Sequence, residues 1–391
     1  MMLRKLRHSA KIALTRRLLF LAPSQHYQVF SGEHSSIQLC RHMAAAGAQH
    51  VLLVTDRPLM DLGIAPSVAA ALQAADVRVS FYDAVLPDPT LSIAMAGCDL
   101  FNASACDTLL AVGGGSSIDT AKMIAVIASH SDDLTAVMGI GKLSNPLPPV
   151  YAVPTTAGTG SEATQGAVIS DDHTHEKTIV GGNGMLPLAA ALDPGLMTGL
   201  PARITAATGM DALTHAVEAY LSVIERNDNQ ALALSAIRLI FKHLPAVIEH
   251  SSDLDHRYAM AYASYLAGKA INQVNVGNVH AIAHQLGAYF RIPHGEANAL
   301  VLPHMLELYR QHSVESLETL ARTLDFHCSS ELIQHIRALA DIIGLEPTNE
   351  SISADRFDDI IARAIAEGDG YFVPHLMSTD EVRALLQRIS G

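Results

Sequence analysis

The chain is poor in the features that mark several large classes of protein. Only 5% of its 391 residues are aromatic, none is tryptophan, and the few present are scattered. Stacking platforms for nucleic-acid bases need clustered aromatic side chains, so such a platform is not expected. Positive charge is also in deficit. Lys and Arg number 26 against 39 Asp and Glu, a formal net charge of −13, and an acidic chain does not attract phosphate backbones. The four cysteines, Cys40, Cys98, Cys106 and Cys328, form no CxxC pair and no framework spacing, which is the pattern of reduced thiols in a cytoplasm-like compartment. No run of 18 or more apolar residues stands out, so no membrane span is expected. Internal repeats and low-complexity tracts are absent, and so is the GxGxxG fingerprint of many dinucleotide sites.

The residues that are present describe a well-buried globular chain. Hydrophobic residues make up 49% and charged residues 17%, and a chain this long is expected to form two or three domains. The first 25 residues differ in character. Arg4, Lys5, Arg7, Lys11, Arg16 and Arg17 occur with no acid before Glu33. Arg16 and Arg17 split the apolar residues, which makes a poor secretory signal. A solvated extension or an oligomer contact is the reading adopted, with an organellar transit peptide or a basic membrane-surface helix left open.

From residue 26 to about 195 short aliphatic runs alternate with helical stretches. HVLLVTD (50–56), VRVSFYD (77–83), TLLAV (108–112) and VYAVP (150–154) read as strands, and 66–76 and 113–129 as helices. Such alternation predicts an α/β domain with a parallel, helix-covered sheet. From 196 to 391 the apolar residues recur at helical spacing and almost nothing reads as a strand, so an all-α second domain is expected.

Three segments fall at predicted strand ends. GGGSSID opens a helix after TLLAV, where glycines let backbone N–H groups approach a pyrophosphate at a helix N-terminus. Asp56 ends HVLLVTD, where a carboxylate either accepts from a ribose, favouring NAD over NADP, or simply caps the next helix. PTTAGTGSEAT follows VYAVP as a loop of small residues and hydroxyls. Open parallel sheets bind ligands beyond the carboxyl ends of their strands, so one ligand shared by the three segments is expected.

The second domain carries polar residues in apolar surroundings. Asp211 and His215 in GMDALTHAVEAY are four apart and share a helix face, and so are His280 and His284 in VHAIAHQLGAYFRIPHG, with His294 after a turn at Pro293. Burying five such groups is costly unless something pairs them, and imidazole with carboxylate suits Fe2+ or Zn2+. The chain has 20 histidines, so some clustering is expected by chance. Spacing alone pairs His280 with His284 as chelators.

GGGSSIDTAK, PTTAGTGSE, DPGL, GMDALTHAVEAY and VHAIAHQLGAYFRIPHG followed by ANALVLP, in that order, resemble the iron-containing (group III) alcohol dehydrogenases from about Gly32 to the C-terminus. The resemblance implies a Rossmann-like nucleotide-binding domain over 26–195 and a helical metal-binding, catalytic domain over 196–391. It implies Asp211, His215, His280 and His294 as metal ligands and His284 as a neighbouring catalytic histidine that relays protons. It implies NAD contacts from Asp56, Gly114, Gly115, Ser116, Asp119, Thr155, Thr156 and Thr159, with weaker ones from Lys177 and Leu200. Asp88 belongs to that cofactor set, although asparagine often stands there. Gln285 replaces a frequent proline, and Ile271 a frequent pocket aromatic. The implied activity is NAD-linked alcohol oxidation or aldehyde reduction, in which metal polarises the alcohol oxygen and hydride passes to nicotinamide. The implied partner is a small alcohol or aldehyde, and the implied assembly a homodimer or higher homo-oligomer. Rival readings are a hydroxyacid–oxoacid transhydrogenase, which a basic cluster would favour where only Arg291 lies close to the motif, and a lyase resembling dehydroquinate synthase, whose different ligand set is disfavoured by GMDALTH with PHG. A catalytically silent NAD-binding protein would lack ligands that are all present here.

Overall fold

The aliphatic runs form strands because they are buried on both faces, where β-branched and small apolar residues pack without polar relief. The computed structural model describes residues 4, 8, 10–12 and 27–391 apart from 131–133, 173–176 and 225–226. The chain divides into two compact units. His26–Leu200 and His250–Gly268 make the sheet unit, and Pro201–Glu249 with Lys269–Gly391 and the described residues of the N-terminal segment make the helical unit. Nothing in the periodicity signals that residues 250–268 pack with the sheet.

The sheet unit is built from β1 (Gln28–Ser31), β2 (His50–Asp56), β3 (Arg78–Val85), β4 (Thr108–Gly113), β5 (Val150–Pro154) and β8 (Ala189–Leu192), all parallel in the order β1-β8-β5-β4-β2-β3. A separate antiparallel hairpin pairs β6 (Gly166–Ser170) with β7 (Lys177–Gly181). Alternation along each strand feeds two cores. Leu52, Val54, Leu109, Ala111, Val150 and Ala152 face one, and Val51, Leu53, Leu110, Val112, Tyr151 and Val153 the other. Helices α1 (Ser35–Ala45) and α3 (Ile64–Gln73) cover the second core, while α4 (Leu91–Ala103) and α5 (Gly115–Ser129) cover the first. Short helices α2 (Arg57–Asp61) and α6 (Leu134–Val137) complete the described helices of this stretch. The chain runs from β2 to β3 on one side, then returns so that β4 lies on the other side of β2 and leads outward to β5. The carboxyl ends of β2 and β4 therefore flank a point where strand order reverses, the usual ligand crevice of open α/β sheets.

After Pro201 come α7 (Ala202–Leu221), α8 (Asn227–Glu249), α9 (Leu254–Val274), α10 (Asn278–Phe290), α11 (His294–His312), α12 (Val314–Thr323), α13 (Ser329–Ile342), α14 (Phe357–Gly368) and α15 (Thr379–Ile389). Helix α7 is buried nearly all round from Thr205 onward, which makes it a central helix. It packs on α8 and α11, and α10 packs on α11 and α14. By length and composition α8 could cross a membrane. Its fully buried residues, Ala233, Ala236, Ile237, Ile240, Leu244 and Val247, instead recur at helical spacing, as in a core helix. Of the basic segment, Arg4 donates to Asp369 and to the carbonyl of Met377, and Lys11 to the carbonyl of Gly370. The other basic residues of that extension, Lys5, Arg7, Arg16 and Arg17, lie outside the described residues.

Candidate metal centre and cofactor loops

The centre of the helical unit begins with spacing on α7. Asp211, His215 and Glu218 occupy i, i+4 and i+7 and so share one face. His280 comes from the first turn of α10. His294 comes from the first turn of α11, after Arg291 closes α10 in the left-handed conformation (φ 56°) and Pro293 starts the next helix. Gly295 is required beside it, because a Cβ there would stand 2.1 Å from the carbonyl oxygen of Ala207. Asp211 Oδ1 lies 3.8 Å from His215 Nε2, 3.6 Å from His280 Nε2 and 3.4 Å from His294 Nε2. All but His294 are buried. Burial opposes ionisation of Asp211, but His215, His294 and a hydrogen bond from His280 outweigh it and hold the carboxyl well below the usual range.

Two further side chains order this group. Glu218 accepts from the backbone N–H of Gly277 at 2.7 Å and of Val279 at 2.6 Å, and lies 2.6 Å from His280 Nδ1. It thereby satisfies donors at the start of α10, where Gly277 supplies no side-chain cap. It also orients the His280 ring so that Nε2 faces Asp211. Although burial alone would lower it, Glu218 and then Asp211 push His280 up to about 9 in the metal-free protein. Asn298, one turn after His294, places Nδ2 2.8 Å from Asp211 Oδ1, 3.2 Å from His280 Nε2 and 3.3 Å from His294 Nε2, while its own Oδ1 is buried without a partner. One amide nitrogen thus lies against three of the candidate ligand atoms.

Asp211, His215 and His280 converge closely enough to share one divalent cation, and His294 approaches the same carboxylate oxygen. Donors about 2.1 Å from an ion at tetrahedral angles stand roughly 3.4 Å apart, close to the 3.4–3.8 Å spread around Asp211 Oδ1. His284 takes a different position. Its ring stacks on His294 at 5.3 Å, but its Nδ1 turns to Glu367 Oε1 at 2.5 Å. Tyr371 donates to the same oxygen at 2.6 Å, and Gln285 to Oε2 at 2.8 Å. The glutamine standing where proline is frequent therefore has a partner of its own.

In the sheet unit the three predicted segments lie at the carboxyl ends of the adjacent strands β2, β4 and β5. Asp56 caps α2 by accepting from Leu59 N–H at 2.9 Å through Oδ1. The glycine turn and the 154–164 loop approach too closely for side chains. A Cβ on Gly115 would stand 2.6 Å from Thr159 Cγ2, and one on Gly114 3.2 Å from Thr156 Oγ1. Ser116 follows in the first turn of α5, and Thr155 N–H donates to Gly113 at 3.0 Å. Asp119 turns inward, accepting from Ser161 Oγ and, at 2.9 Å, from Val168 N–H. Fully buried Lys122 donates to the carbonyls of Ser161 (2.7 Å), Thr164 (2.9 Å) and Gly166 (2.7 Å). These two side chains hold the loop that carries Thr155, Thr156 and Thr159. Asp88, at φ 52°, pairs with Lys177 at 2.7 Å. Leu200 is half-buried after the Pro194–Met197 turn, and its carbonyl accepts from Arg257 at 3.2 Å.

Two family models match the chain, one on either side of residue 200. The family model "Iron-containing alcohol dehydrogenase" matches residues 27–194, and "Fe-containing alcohol dehydrogenase family, C-terminal" matches 205–390. The chain belongs to the iron-containing alcohol dehydrogenase family. It is 38% identical over 356 residues to a 1,3-propanediol dehydrogenase of Klebsiella pneumoniae, covering 88% of this chain and 92% of that one. It is 37% identical to an NAD-dependent methanol dehydrogenase of Bacillus methanolicus, covering 78% and 80%. The crystal structure of a 1,3-propanediol oxidoreductase superposes with a TM-score of 0.88 at 36% identity, covering 93% and 97%. As a member of this alcohol dehydrogenase family, the chain is an NAD-linked oxidoreductase.

Glu218, Asn298 and Glu367 are absent from the residues predicted by sequence. Helical spacing could have found two of them, since Glu218 is three residues after His215 and Asn298 four after His294. Glu367 belongs to no motif and reaches His284 only through the packing of α14 on α10.

Proposed function

We propose that Asp211, His215, His280 and His294 hold one Fe2+, with Zn2+ suited to the same donors, and that the chain interconverts a small primary alcohol or diol with its aldehyde using NAD. The observation carrying this reading is the approach of three imidazole Nε2 atoms to within 3.4–3.8 Å of a single buried carboxylate oxygen. When bound, the ion supplies Lewis acidity that lowers the pKa of the alcohol oxygen, and the nicotinamide accepts the hydride. Three imidazoles and one carboxylate leave coordination room for substrate. Glu218 keeps the proton of His280 on Nδ1 so that Nε2 offers its lone pair. His284, held by Glu367, receives the hydroxyl proton at Nε2, and the carboxylate steadies the resulting imidazolium. Asp56 accepts from the adenosine ribose, and the Gly114–Ser116 turn cradles the pyrophosphate. The 1,3-propanediol and methanol relatives support a small, unbranched substrate.

His280→Ala is expected to lose both metal and turnover while NAD still binds with wild-type affinity. Bound metal is counted by elemental mass spectrometry, turnover by NADH absorbance and NAD by calorimetry. Full turnover in verified metal-free protein would overturn the reading.

A further inference from the structure

The helical unit contains a second convergence of metal-ligating side chains that shares no residue with the first. His312 ends α11, His375 lies between α14 and α15, and Glu381 stands in the first turn of α15. His312 Nε2 is 3.0 Å from Glu381 Oε1, and His375 Nε2 is 3.1 Å from each carboxylate oxygen. We propose that these three side chains form a second divalent-metal site, of the zinc type, that staples the C-terminal helix to the end of α11.

The donor set supports this. Two imidazoles with one carboxylate suit borderline cations such as Zn2+. Cis donors about 2.1 Å from an ion lie roughly 3.0–3.4 Å apart, the spacing found here. Two of the three ligands are held in place without an ion. Glu381 accepts from Ser378 N–H (2.7 Å) and Oγ (2.8 Å) through Oε2 in a capping box, leaving Oε1 turned to the imidazoles. The His375 carbonyl accepts from Asn278 Nδ2 at 2.8 Å, and that of Pro374 from Ser313 Oγ at 3.2 Å. The third, His312, has a side chain 39% exposed, which gives an ion access. Both Nε2 atoms face the one carboxylate, and a divalent cation held there would take the lone pair of each neutral ring, whose single proton then sits on Nδ1.

Binding requires the two rings to fan apart from their stack at 4.1 Å and 6°, a movement the exposed His312 ring has room to make. His215 and His280 in the first centre stack in the same way, at 4.5 Å and 17°. The bound ion would tie together three segments, one of which is α15, whose Val382, Leu385, Leu386 and Ile389 pack in the core.

The test is equilibrium dialysis of the full-length protein against micromolar Zn2+ with bound zinc measured by elemental mass spectrometry. Wild type is expected to hold about two equivalents per chain, and His312→Ala and His375→Ala about one each. His312→Ala lies at the exposed end of α11 and is expected to keep wild-type alcohol oxidation, which shows that the first centre is intact. His327→Ala, an exposed histidine elsewhere, is the control and should keep about two equivalents. Zn2+ should also raise the thermal midpoint of wild type more than that of His312→Ala. Equal zinc content in wild type and His312→Ala overturns the proposal, and so does an equal loss in His327→Ala.

Discussion

Replacing Glu218 by Gln tests whether a carboxylate behind His280 governs metal retention. The side chain keeps its size, so packing is undisturbed, but one carboxylate oxygen becomes an NH2. In the native structure Oε1 accepts from Val279 N–H, and Oε2 accepts from Gly277 N–H and faces His280 Nδ1. With the NH2 in the Oε1 position, two donors meet at Val279. With the NH2 in the Oε2 position, Gly277 loses its acceptor and His280 is driven to accept at Nδ1. Its proton then sits on Nε2, the atom facing Asp211. Either arrangement leaves a buried donor unpaired at about 1–3 kcal/mol. Loss of such an orienting partner typically weakens metal affinity about 10- to 100-fold, equivalent to roughly 1.4–2.7 kcal/mol. The assay is dialysis against a competing chelator, with metal counted per chain and folding followed by far-UV circular dichroism. A folded Glu218→Gln protein whose metal affinity stays within about twofold of wild type would refute the reasoning.

Three further outcomes are expected. Gly115→Ala places a Cβ 2.6 Å from Thr159 Cγ2; calorimetry should show about tenfold weaker NAD binding, with metal content unchanged. Glu367→Gln weakens the hold on His284 Nδ1; turnover should fall by about 10- to 100-fold with bound metal unaltered, as counted in the same sample. Burial pushes Glu162 up from 4.5 to about 7, against Lys122. The folded state then binds more protons than the unfolded chain between those values, so this residue's contribution to stability is full below pH 4.5 and is lost as pH rises through 7. Glu162→Gln, which does not ionise, should gain on wild type by up to about 3 kcal/mol between pH 5 and pH 8, read from denaturation midpoints at the two pH values.

Much of the sheet unit was legible because its signals are local. Fully buried strands read as continuous aliphatic runs, and HVLLVTD, TLLAV and VYAVP appear as β2, β4 and β5 almost residue for residue. The strands β1 and β8 were not picked out. The first is four residues long, and the second is AAAL, whose small side chains have no strand preference of their own and pair only because β1 and β5 flank it. The β6–β7 hairpin was also missed, since its short strands carry no marked alternation. The spacing of polar residues on α7, α10 and α11 exposed five candidates for the metal centre, but i, i+4 spacing could not tell His284 from His280.

The sequence by itself determined the long buried strands and the helical second half, where glycines interrupt them, and which side chains could donate to a metal, because periodicity and residue chemistry act over a few neighbours. Tertiary structure decided what those residues do together. Strand order brought the ends of β2, β4 and β5 side by side. Packing of α7, α10 and α11 aimed three imidazoles at Asp211, while α14 delivered Glu367 to His284 Nδ1. Convergence of residues far apart in the chain is a property of packing, and no local pattern encodes it.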